Sequence, residues 1–412
     1  MDEKIRQLTN ECLQCKNPTC IKGCPVNNNI PEFISLCKQG NYQKAYEVIK
    51  LTSTLPSICS LVCPVENQCV GNCIKNKIGK PVEINKIEQF ITLNAKDDIK
   101  PENNTNKKIA VIGSGPASLA CSEKLALLGH QVDVYEKYDE LGGILTYGIP
   151  DFVLDKEIVN KKINYLKNLN INFYLNKEFE KDILLNDLIN NYDAIFLGFG
   201  AGVSKRMGIE DSSLKGIIDA NLFLEKIHKN NIDEYRNCKE IIVIGGGNTA
   251  IDAALCAKNI TENVTIVYRR SENEMPARKD EIRKCKDSNI KFNFLTNPIR
   301  YIGNGNLSEV ECIKMRLEEV LNQRPRPVVI ENSNFIIKAD LVIEAISSSV
   351  DQNLTKSLKT DKWGCILVNQ NMQTSLEKVF AGGDCISGPS TVVSAMKDGI
   401  KAAYYINEYL SK

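Results

Sequence analysis

Two stretches of this chain repeat one pattern, in which a short apolar strand runs through a glycine-rich turn into a helix and a second strand. The first is KKIAVIGSGPASLACSEKLALLGHQVDVYEK and the second is EIIVIGGGNTAIDAALCAKNITENVTIVYRR. Gly113 and Gly115 of the first stretch align with Gly245 and Gly247 of the second. The pattern is typical of the doubly wound α/β folds that bind dinucleotides. The repeat therefore predicts two Rossmann-like folds, and two dinucleotides, in one chain.

The first glycine turn has the features of a dinucleotide site. Gly113 permits the tight turn, and Gly115 lets the backbone approach a pyrophosphate at the helix N-terminus, where free N–H groups and the helix dipole favour an anion. Glu136 ends the second strand, where a carboxylate would hold ribose hydroxyls. Ser118 stands where a third glycine usually allows close packing of helix on strand, and serine is small enough to be tolerated.

The second site differs from the first at one informative position. Aligning VDVYEK with TIVYRR places Arg269 opposite Glu136, with Arg270 next to it. A carboxylate there repels a 2′-phosphate, whereas guanidinium groups bind one through charge-assisted, bidentate hydrogen bonds. We therefore expect the second site to prefer NADP(H), and the pair of sites to bind a flavin and a nicotinamide dinucleotide. Two solvated arginines in a surface turn are the simpler alternative.

The N-terminal region is rich in cysteine. Nine of the sixteen cysteines lie in this region, with the spacing Cys12-x2-Cys15-x4-Cys20-x3-Cys24-Pro25 and Cys59-x3-Cys63-Pro64-x4-Cys69-x3-Cys73, and with Cys37 between the two halves. Each half contains a CP step, as in two-cluster ferredoxins, where the cysteine before proline binds the other cluster. The spacing favours iron–sulfur clusters over zinc, which a CxxC pair would also suit. Cys37 lies on the apolar face of an amphipathic pattern and is expected to be a core residue.

Composition excludes several classes of partner. A net charge of +1 and a pI of about 7.3 offer no basic surface for nucleic acid or an anionic membrane. The start, MDEKIRQLTNEC, has no apolar signal segment, and no run reaches the roughly 18 apolar residues of a membrane span. We therefore expect a cytoplasmic protein, in which clustered cysteines are metal ligands or redox groups rather than disulfides.

Five motifs, in order, carry a resemblance to a known family: CxxCxxxxCxxxCP, LGGILTYGIP, IGGGNTAIDAA, YRRSENEMPA and AGGDCISGPSTVV. Over nearly its whole length the chain resembles the small (beta) subunit of NADPH-dependent glutamate synthase. The same module occurs in dihydropyrimidine dehydrogenases and in bifurcating NADH-dependent ferredoxin:NADP oxidoreductases. The resemblance implies a glutathione-reductase-like arrangement, in which an NADP domain is inserted in an FAD domain. We expect an α-helical iron–sulfur domain at 1–100, the FAD domain at 107–214 and 340–412, and the NADP domain at 215–339.

The resemblance also implies the ligands of two 4Fe–4S clusters. Cys12, Cys15, Cys20 and Cys73 would hold one cluster. Cys24, Cys63 and Cys69 would hold the other, together with Glu88 or its neighbour Gln89, which leaves Cys37 and Cys59 free. FAD would contact Gly113, Ser114, Gly115, Pro116, Ala117, Glu136, Lys137, Gly142, Gly143, Ile144, Gly383, Asp384, Thr391 and Val392. NADP(H) would contact Gly246, Gly247, Asn248, Thr249, Arg269 and Arg270.

Two segments depart from the family pattern. The family commonly has FRLPK after the YGIP run, and this chain has FVLDK at 152–156, without the arginine that would lie beside the flavin. Ser347 stands where the family has glycine. We expect its side chain to narrow the approach to the nicotinamide.

The expected function is hydride transfer from NADPH to FAD, followed by passage of single electrons through the clusters to a partner. That partner would be a larger catalytic subunit, as in glutamate synthase, or a ferredoxin, docked on the helical domain near Lys75 and Lys77. Hydride transfer requires no catalytic side chain, so none is assigned, and His130 and His228 are expected at surface or helix-end positions. The glutamate synthase small subunit is favoured over the dihydropyrimidine dehydrogenase module by the YRR pair.

Two other classes of protein share part of this pattern. A thioredoxin-reductase-like enzyme would share the paired folds but needs a redox CxxC in the NADP domain. Cys238, Cys256, Cys285 and Cys312 lack that spacing. A non-enzymatic redox sensor would keep the clusters without needing an NADP-type site, and Arg269 counts against it.

Overall fold

The computed structural model describes residues 3–321 and 323–411. Within them the chain forms two compact units, and each is described here by itself. The first unit consists of Met1–Thr146, Asp151–Gly202 and Ser349–Lys412. The second consists of Tyr147–Pro150 and Val203–Ser348.

The cysteine-rich region of the first unit is helical. Its helices are α1 (Glu3–Asn10), α2 (Thr19–Gly23), α3 (Ile30–Lys38), α4 (Tyr42–Lys50), α5 (Pro56–Val62) and α6 (Ile84–Leu93), with short 3-10 helices at Val65–Asn67 and Ile74–Ile78. Apolar residues spaced three or four apart give α3, α4 and α6 one buried face each. Their largest fully buried side chains are Phe33, Ile34, Ile49, Ile87 and Ile91. The loops that carry the cysteines are therefore attached to a small helical core.

The rest of the first unit is built on a parallel sheet of five strands. The strands are β1 (Lys108–Ile112), β2 (Gln131–Tyr135), β3 (Ile171–Tyr174), β4 (Ala194–Leu197) and β16 (Val379–Ala381), in the spatial order β16-β4-β1-β2-β3. The helices are α7 (Pro116–Leu127), α8 (Ile144–Tyr147, which ends in the second unit), α9 (Lys156–Lys167), α10 (Leu185–Asn191), α14 (Asp384–Ser387) and α15 (Val392–Leu410). Helix α7 connects β1 to β2, as the first repeat predicts.

The second unit repeats this design. Its parallel sheet has the order β6-β14-β7-β8-β9, with β6 (Ile217–Asp219), β7 (Glu240–Ile244), β8 (Asn263–Tyr268), β9 (Lys291–Phe294) and β14 (Leu341–Glu344). Its helices are α11 (Ala220–His228), α12 (Asn248–Ala257) and α13 (Lys279–Asp287), with 3-10 helices at Asp233–Tyr235 and Glu272–Glu274. An antiparallel sheet is added by β10 (Thr296–Asn304), β11 (Asn306–Glu318), β12 (Arg326–Val329) and β13 (Phe335–Lys338). The two-residue strands β5 (Val203–Ser204) and β15 (Ser348–Ser349) lie at the unit boundaries.

The unit boundaries differ from those expected from the sequence. The second unit begins at Val203 rather than 215 and extends to Ser348 rather than 339. The strand of ADLVIEAI, expected to close the FAD domain, is β14, which lies between β6 and β7 in the second sheet. All its residues are buried, as in any central strand of a parallel sheet covered on both faces, so its apolar run does not reveal which sheet it joins. The helical region, expected as a separate domain, belongs to the same compact unit as the first sheet.

Close packing of α7 against α15 depends on glycine. A Cβ atom added at Gly399 of α15 would lie 2.0 Å from the carbonyl oxygen of Ala117 on α7. Ser118, on the same helix, donates its hydroxyl to the carbonyl of Ile112 at 3.2 Å, and a Cβ at Gly198 would lie 2.2 Å from that hydroxyl. Serine is therefore accommodated here because the neighbouring strand end is glycine. In the part of the chain that the structure describes, no helix is both long and apolar enough to cross a bilayer.

Candidate cofactor sites

The first glycine turn leaves an open approach to its backbone. Gly113 has φ +85°, and a Cβ there would lie 2.9 Å from the carbonyl oxygen of Gly198, so the fold itself requires glycine. At Gly115 an added Cβ would meet no atom within 4 Å. Packing therefore does not explain glycine at that position, whereas a pyrophosphate approaching the N-terminus of α7 does.

The carboxylate at the end of β2 organises this turn. Glu136 is buried, and its Oε2 accepts hydrogen bonds from the Ser114 backbone N–H at 2.8 Å and from the Ser114 hydroxyl at 2.6 Å. Its Oε1 accepts from the N–H of Tyr138 at 2.9 Å. The Ser114 hydroxyl oxygen in turn accepts from the N–H of Gly142 at 2.9 Å. A carboxylate has about four acceptor positions, so Glu136 retains capacity for a ribose hydroxyl.

The later residues expected to contact FAD converge on the same turn. A Cβ at Gly143 would lie 3.1 Å from Cα of Gly115, and a Cβ at Gly383 would lie 2.9 Å from Cβ of Ala117. Helix α7 begins at Pro116, next to these two contacts.

The C-terminal part of this set is Asp384, Thr391 and Val392. Asp384 Oδ1 accepts from the N–H of Ser390 at 3.2 Å, and burial raises the pKa of Asp384 to about 6. Thr391 caps α15, with its hydroxyl accepting from the N–H of Ser394 at 3.2 Å, and Val392 is the first residue of that helix.

Two expected contacts lie at the rim of this region. Lys137 is exposed, with its Nζ 4.7 Å from the ring centroid of Tyr138. Ile144 is 46% exposed, although it follows buried Gly142 and half-buried Gly143. An apolar ligand surface would account for it, since exposed apolar groups often mark binding sites.

The second glycine turn has the same geometry. Gly245 has φ +144°, and a Cβ there would lie 2.3 Å from the carbonyl oxygen of Ala345. A Cβ at Gly246 would lie 2.6 Å from the ring of Tyr268. At Gly247 the only atom within 4 Å would be Cγ of Pro276, at 3.9 Å, so here too the open position lies at the helix N-terminus.

The polar residues around this turn are ordered by local bonds. Asn248, the first residue of α12, accepts from the backbone N–H of Arg278 at 2.9 Å. Arg269 is exposed directly after β8, at the position that Glu136 occupies after β2. Arg270 donates from Nε to the carbonyl of Pro325 at 2.9 Å, which leaves its two Nη groups as donors. Thr249 is half-buried in the first turn of α12.

Four cysteines of the helical region lie close enough to interact electrostatically. Burial, and then the charges of Cys15 and Cys73, raise the pKa of Cys12. Burial, and then the charges of Cys12 and Cys73, raise the pKa of Cys20 to about 11. All four line one cavity of about 390 Å³, counting the part open to solvent, together with apolar side chains such as Ile34.

The other cysteines form a second group around a carboxylate. Burial, and then the charges of Glu88 and Cys63, raise the pKa of Cys24. Burial, Glu88, Cys24 and Cys63 raise the pKa of Cys69. Glu88 lies on the buried face of α6, and burial raises its pKa to about 8, whereas Gln89 is half-buried. Thiolates and a carboxylate gathered in this way repel one another unless a cation is present, so both groups fit iron–sulfur clusters chemically.

The two remaining cysteines of the region are buried. Cys37 is fully buried in the helical core, where burial raises its pKa to about 11, and Cys59 is buried on α5. Among the described residues, no cysteine forms a disulfide. Across residues 3–321 and 323–411, no three His, Cys, Asp or Glu side chains converge on a site for a single metal ion.

The two departures from the family pattern differ in how well the local structure suits them. In FVLDK, Leu154 is fully buried, and Asp155 caps α9 by accepting from the N–H of Glu157 at 2.8 Å. Ser347 has φ +107°, a conformation that disfavours any residue with a side chain.

The sequence predicts surface or helix-end positions for both histidines, and this is confirmed for His228 but wrong for His130. His130 is buried and bonded to Thr105 and Asn407, at 2.6 and 2.9 Å. His228, the last residue of α11, is half-buried, with its ring edge-on to Tyr147.

Sequence reasoning missed two contributors to these sites. Arg278 orients Asn248 through its backbone N–H, and its side chain is held by Glu281. Gly399 lets α15 approach α7 beside the first turn. Every residue except proline has a backbone N–H, so the sequence does not identify the one of Arg278 as a donor. A single glycine in a helix, such as Gly399, is only a weak indication of close packing.

Comparison with known proteins agrees with this geometry. Residues 107–399 match the family described as pyridine nucleotide-disulphide oxidoreductase, and residues 1–99 match the one described as dihydropyrimidine dehydrogenase domain II, 4Fe-4S cluster. The small chain of NADPH glutamate synthase from Escherichia coli K12 is 35% identical over 424 residues, covering 97% of this chain and 90% of that protein. The beta subunit of an NADPH-Fe(3+) oxidoreductase from Geobacter sulfurreducens is 31% identical, covering 95% of this chain and 64% of that protein.

A solved structure shares the fold of most of the chain. Mycobacterium tuberculosis FprA in complex with NADPH superposes with a TM-score of 0.66 at 18% identity, covering 74% of this chain and 85% of that one. The fold and the two family matches define the chain as an oxidoreductase with paired dinucleotide-binding folds and an N-terminal 4Fe–4S domain. It belongs to the family of the glutamate synthase small chain.

Proposed function

We propose that this chain is an NADPH-dependent oxidoreductase that binds FAD at the first glycine turn, NADP(H) at the second and two 4Fe–4S clusters in the helical region. When bound, FAD can take up a hydride and release single electrons, which iron–sulfur clusters can carry to a partner. The observation that carries the proposal is the contrast between buried Glu136 and exposed Arg269, which follow equivalent strands of two matching units.

The side chains of this protein bind and orient rather than react. Gly115 and Gly247 leave the backbone open to a pyrophosphate at the N-termini of α7 and α12. Glu136 would accept from ribose hydroxyls, and Arg269 with Arg270 would bind the 2′-phosphate that distinguishes NADPH from NADH. Holding two ring systems in contact and excluding water is the main contribution that hydride transfer needs from a protein.

The ligand count supports two clusters. One 4Fe–4S cluster takes four protein ligands. The first thiol group, Cys12, Cys15, Cys20 and Cys73, supplies one set. Cys24, Cys63 and Cys69 supply three of the second set, and Glu88 is the group whose charge acts on two of them. We therefore propose Glu88, rather than Gln89, as the remaining ligand.

The partner is proposed to be a larger catalytic subunit, with glutamate synthase as the first candidate. Its support is the 35% identity to a protein named as a small chain. A ferredoxin, or a partner of the kind used by other NADPH oxidoreductase subunits, is the second candidate, supported by the similarity to the Geobacter beta subunit. Cysteines that form no disulfide in the described part of the chain suit the reducing cytoplasm, which we propose as the location.

The test is anaerobic reduction of the purified chain. NADPH should bleach the flavin and pass electrons to ferricyanide, while NADH at equal concentration should react far more slowly. A chain that carries FAD and iron but is not bleached by NADPH would contradict the proposal.

A further inference from the structure

Four charged side chains are buried together in the first unit. Lys50 Nζ lies 3.0 Å from Asp97 Oδ1 and also contacts Glu123. Lys162 Nζ lies 2.7 Å from Glu123 Oε2 and 3.4 Å from Asp97 Oδ2. Each lysine therefore contacts both carboxylates, and the two positive charges balance the two negative ones. We refer to Lys50, Asp97, Glu123 and Lys162 as the charge joint.

The charge joint connects two regions that carry different predicted cofactors. Lys50 ends α4 and Asp97 follows α6, so both belong to the helical region that holds the cysteine groups. Glu123 lies on α7, the helix that begins at the first glycine turn, and Lys162 lies on α9. The Lys50–Glu123 and Lys162–Asp97 contacts therefore cross from one region to the other.

Because these charged side chains are buried, each must stay in contact with its partners. The side chains of Glu123, Lys50 and Lys162 are 0%, 2% and 5% exposed, and that of Asp97 is 16% exposed. Two tyrosine rings flank the lysines, with Lys162 Nζ 4.5 Å from the ring centroid of Tyr165. A buried ion pair is seldom more stabilising than apolar side chains of the same volume. A displacement that leaves one of its charges buried without a partner is, however, strongly destabilising. Apolar packing alone would hold the two regions together. The network of ion pairs also fixes their register, that is, the position of α4 relative to α7.

A second, uncharged contact joins the helical region to α15. The N–H of Leu55 and the hydroxyl of Ser53 both lie against the sulfur of Met396 on α15, at 3.3 and 3.5 Å. Leu55, Ser53 and Met396 are buried. The helical region is therefore attached by more than the charge joint. The four charges can be removed while this second contact remains.

We propose that Lys50, Asp97, Glu123 and Lys162 are positioning residues, which set the separation between the flavin and the nearer iron–sulfur cluster. The inference rests on the proposed function for the identity of those groups. Helix α7 starts at the first glycine turn and carries Glu123 two turns further on, so displacement of α4 relative to α7 changes that separation directly. Electron transfer falls steeply with distance, so a small loss of register should slow it.

The experiment replaces all four charges with side chains of similar size. The variant is Lys50→Met, Asp97→Asn, Glu123→Gln and Lys162→Met, which leaves no stranded charge. Bleaching of the flavin by NADPH should stay within about twofold of the parent, while cluster reduction, followed by freeze-quench electron paramagnetic resonance, should slow about tenfold or more. Backbone amides of α4 should also exchange with deuterium faster than in the parent. Glu178→Gln with Lys181→Met, which removes an exposed ion pair, is the matched control.

The outcomes separate the inference from the proposed function. Unchanged cluster reduction in the fully loaded four-fold variant overturns the positioning role. If that variant does not load its cofactors, Asp97→Asn with Lys162→Met keeps the Lys50–Glu123 contact, and it should slow cluster reduction by a smaller factor. No slowing in that pair also overturns the role. Failure of NADPH to bleach the parent contradicts the proposed function instead, and amide exchange at α4 still decides whether the charges fix the register.

Discussion

At the scale of single residues, one pair of positions separates the two dinucleotide sites. Glu136 and Arg269 each follow the second strand of a strand, turn and helix unit. Glu136 is buried and bonded to Ser114, whereas Arg269 is exposed and free to meet a ligand from solvent. Under the proposed function, the same fold would bind a ribose in one unit and a 2′-phosphate in the other.

Removing both arginines should remove the preference for NADPH. Arg269→Ala with Arg270→Ala deletes the charge-assisted bonds to the 2′-phosphate, which should lower kcat/KM for NADPH by about tens to hundreds of fold. The value for NADH should stay nearly unchanged, because NADH has no such phosphate. Steady-state reduction of ferricyanide with both coenzymes measures the ratio. Arg283→Ala, at an exposed position of α13, is the control. Equal rates with both coenzymes in the parent would contradict the assignment.

The carboxylate on α6 can be tested against its neighbour. Glu88→Ala removes a carboxylate whose charge acts on Cys24 and Cys69, so one cluster should be lost or altered while the other persists. Iron should fall from about eight atoms per chain toward about four. Gln89→Ala is the matched control and should keep the parent iron content and spectrum. Bound zinc in place of iron, or an unaltered spectrum in Glu88→Ala, would refute the assignment.

Asp384 predicts a pH dependence of stability. Burial raises its pKa to about 6, above the unfolded value of 3.8, so the folded chain binds its proton more tightly. Its contribution to the free energy of unfolding is full below pH 3.8 and is lost as the pH rises through 6. Flavin-free Asp384→Asn should therefore unfold at a higher temperature than the parent at about pH 8, and the gap should shrink toward about pH 5. Asp287→Asn, at the exposed end of α13, should show no such trend.

At the scale of elements, the sequence predicts the strands and glycine turns better than it predicts their partners. The apolar runs before Gly113 and Gly245 are β1 and β7, as predicted. The prediction that β14 joins the first sheet is wrong, since it lies in the second. A strand buried on both faces has the same apolar sequence in either sheet, so the sequence does not distinguish them.

Long-range packing was not predictable at all. Lys50 and Glu123 are far apart in sequence, and although Glu123 lies within the first repeated stretch, the dinucleotide-binding pattern assigns no role to its position. Charged residues on amphipathic helices are usually solvated, so only the packed structure distinguishes a buried pair from an exposed one.

Gly115 and Gly399 are expected to be needed for different reasons, Gly115 for ligand binding and Gly399 for helix packing. Alanine at Gly115 would meet no protein atom within 4 Å, so Gly115→Ala should change the free energy of unfolding of the flavin-free chain by less than about 1 kcal/mol. It should nevertheless weaken FAD binding strongly, since the methyl group would occupy the pyrophosphate approach. Gly399→Ala places a methyl 2.0 Å from the Ala117 carbonyl and should cost about 1–3 kcal/mol or more. Flavin content and thermal unfolding of both variants provide the measurement. Normal flavin content in Gly115→Ala would contradict the placement of the pyrophosphate.

At the scale of the whole molecule, the chain has two dinucleotide folds and two groups of potential cluster ligands. The first sheet with α7, the second sheet with α12 and the helical region account for most of the described residues. What remains is mainly the antiparallel sheet of β10 to β13. These parts fit one half of an electron-transfer enzyme. The second substrate of that enzyme would be bound elsewhere.

The isolated chain should therefore pass electrons from NADPH to ferricyanide or a tetrazolium dye, yet form no glutamate from glutamine and 2-oxoglutarate. The first thiol group lies beside the 3-10 helix at Ile74–Ile78, whose exposed Ile78 and Lys77 offer a partner both apolar and charged contacts. Lys75, expected in the same role, is instead half-buried and paired with Glu11 at 3.0 Å. Lys77→Glu should thus slow electron transfer to the partner without slowing dye reduction, while Lys338→Glu, on β13, should affect neither. Glutamate formation by the purified chain alone would overturn this division of labour, because it would require a second substrate site within the same chain.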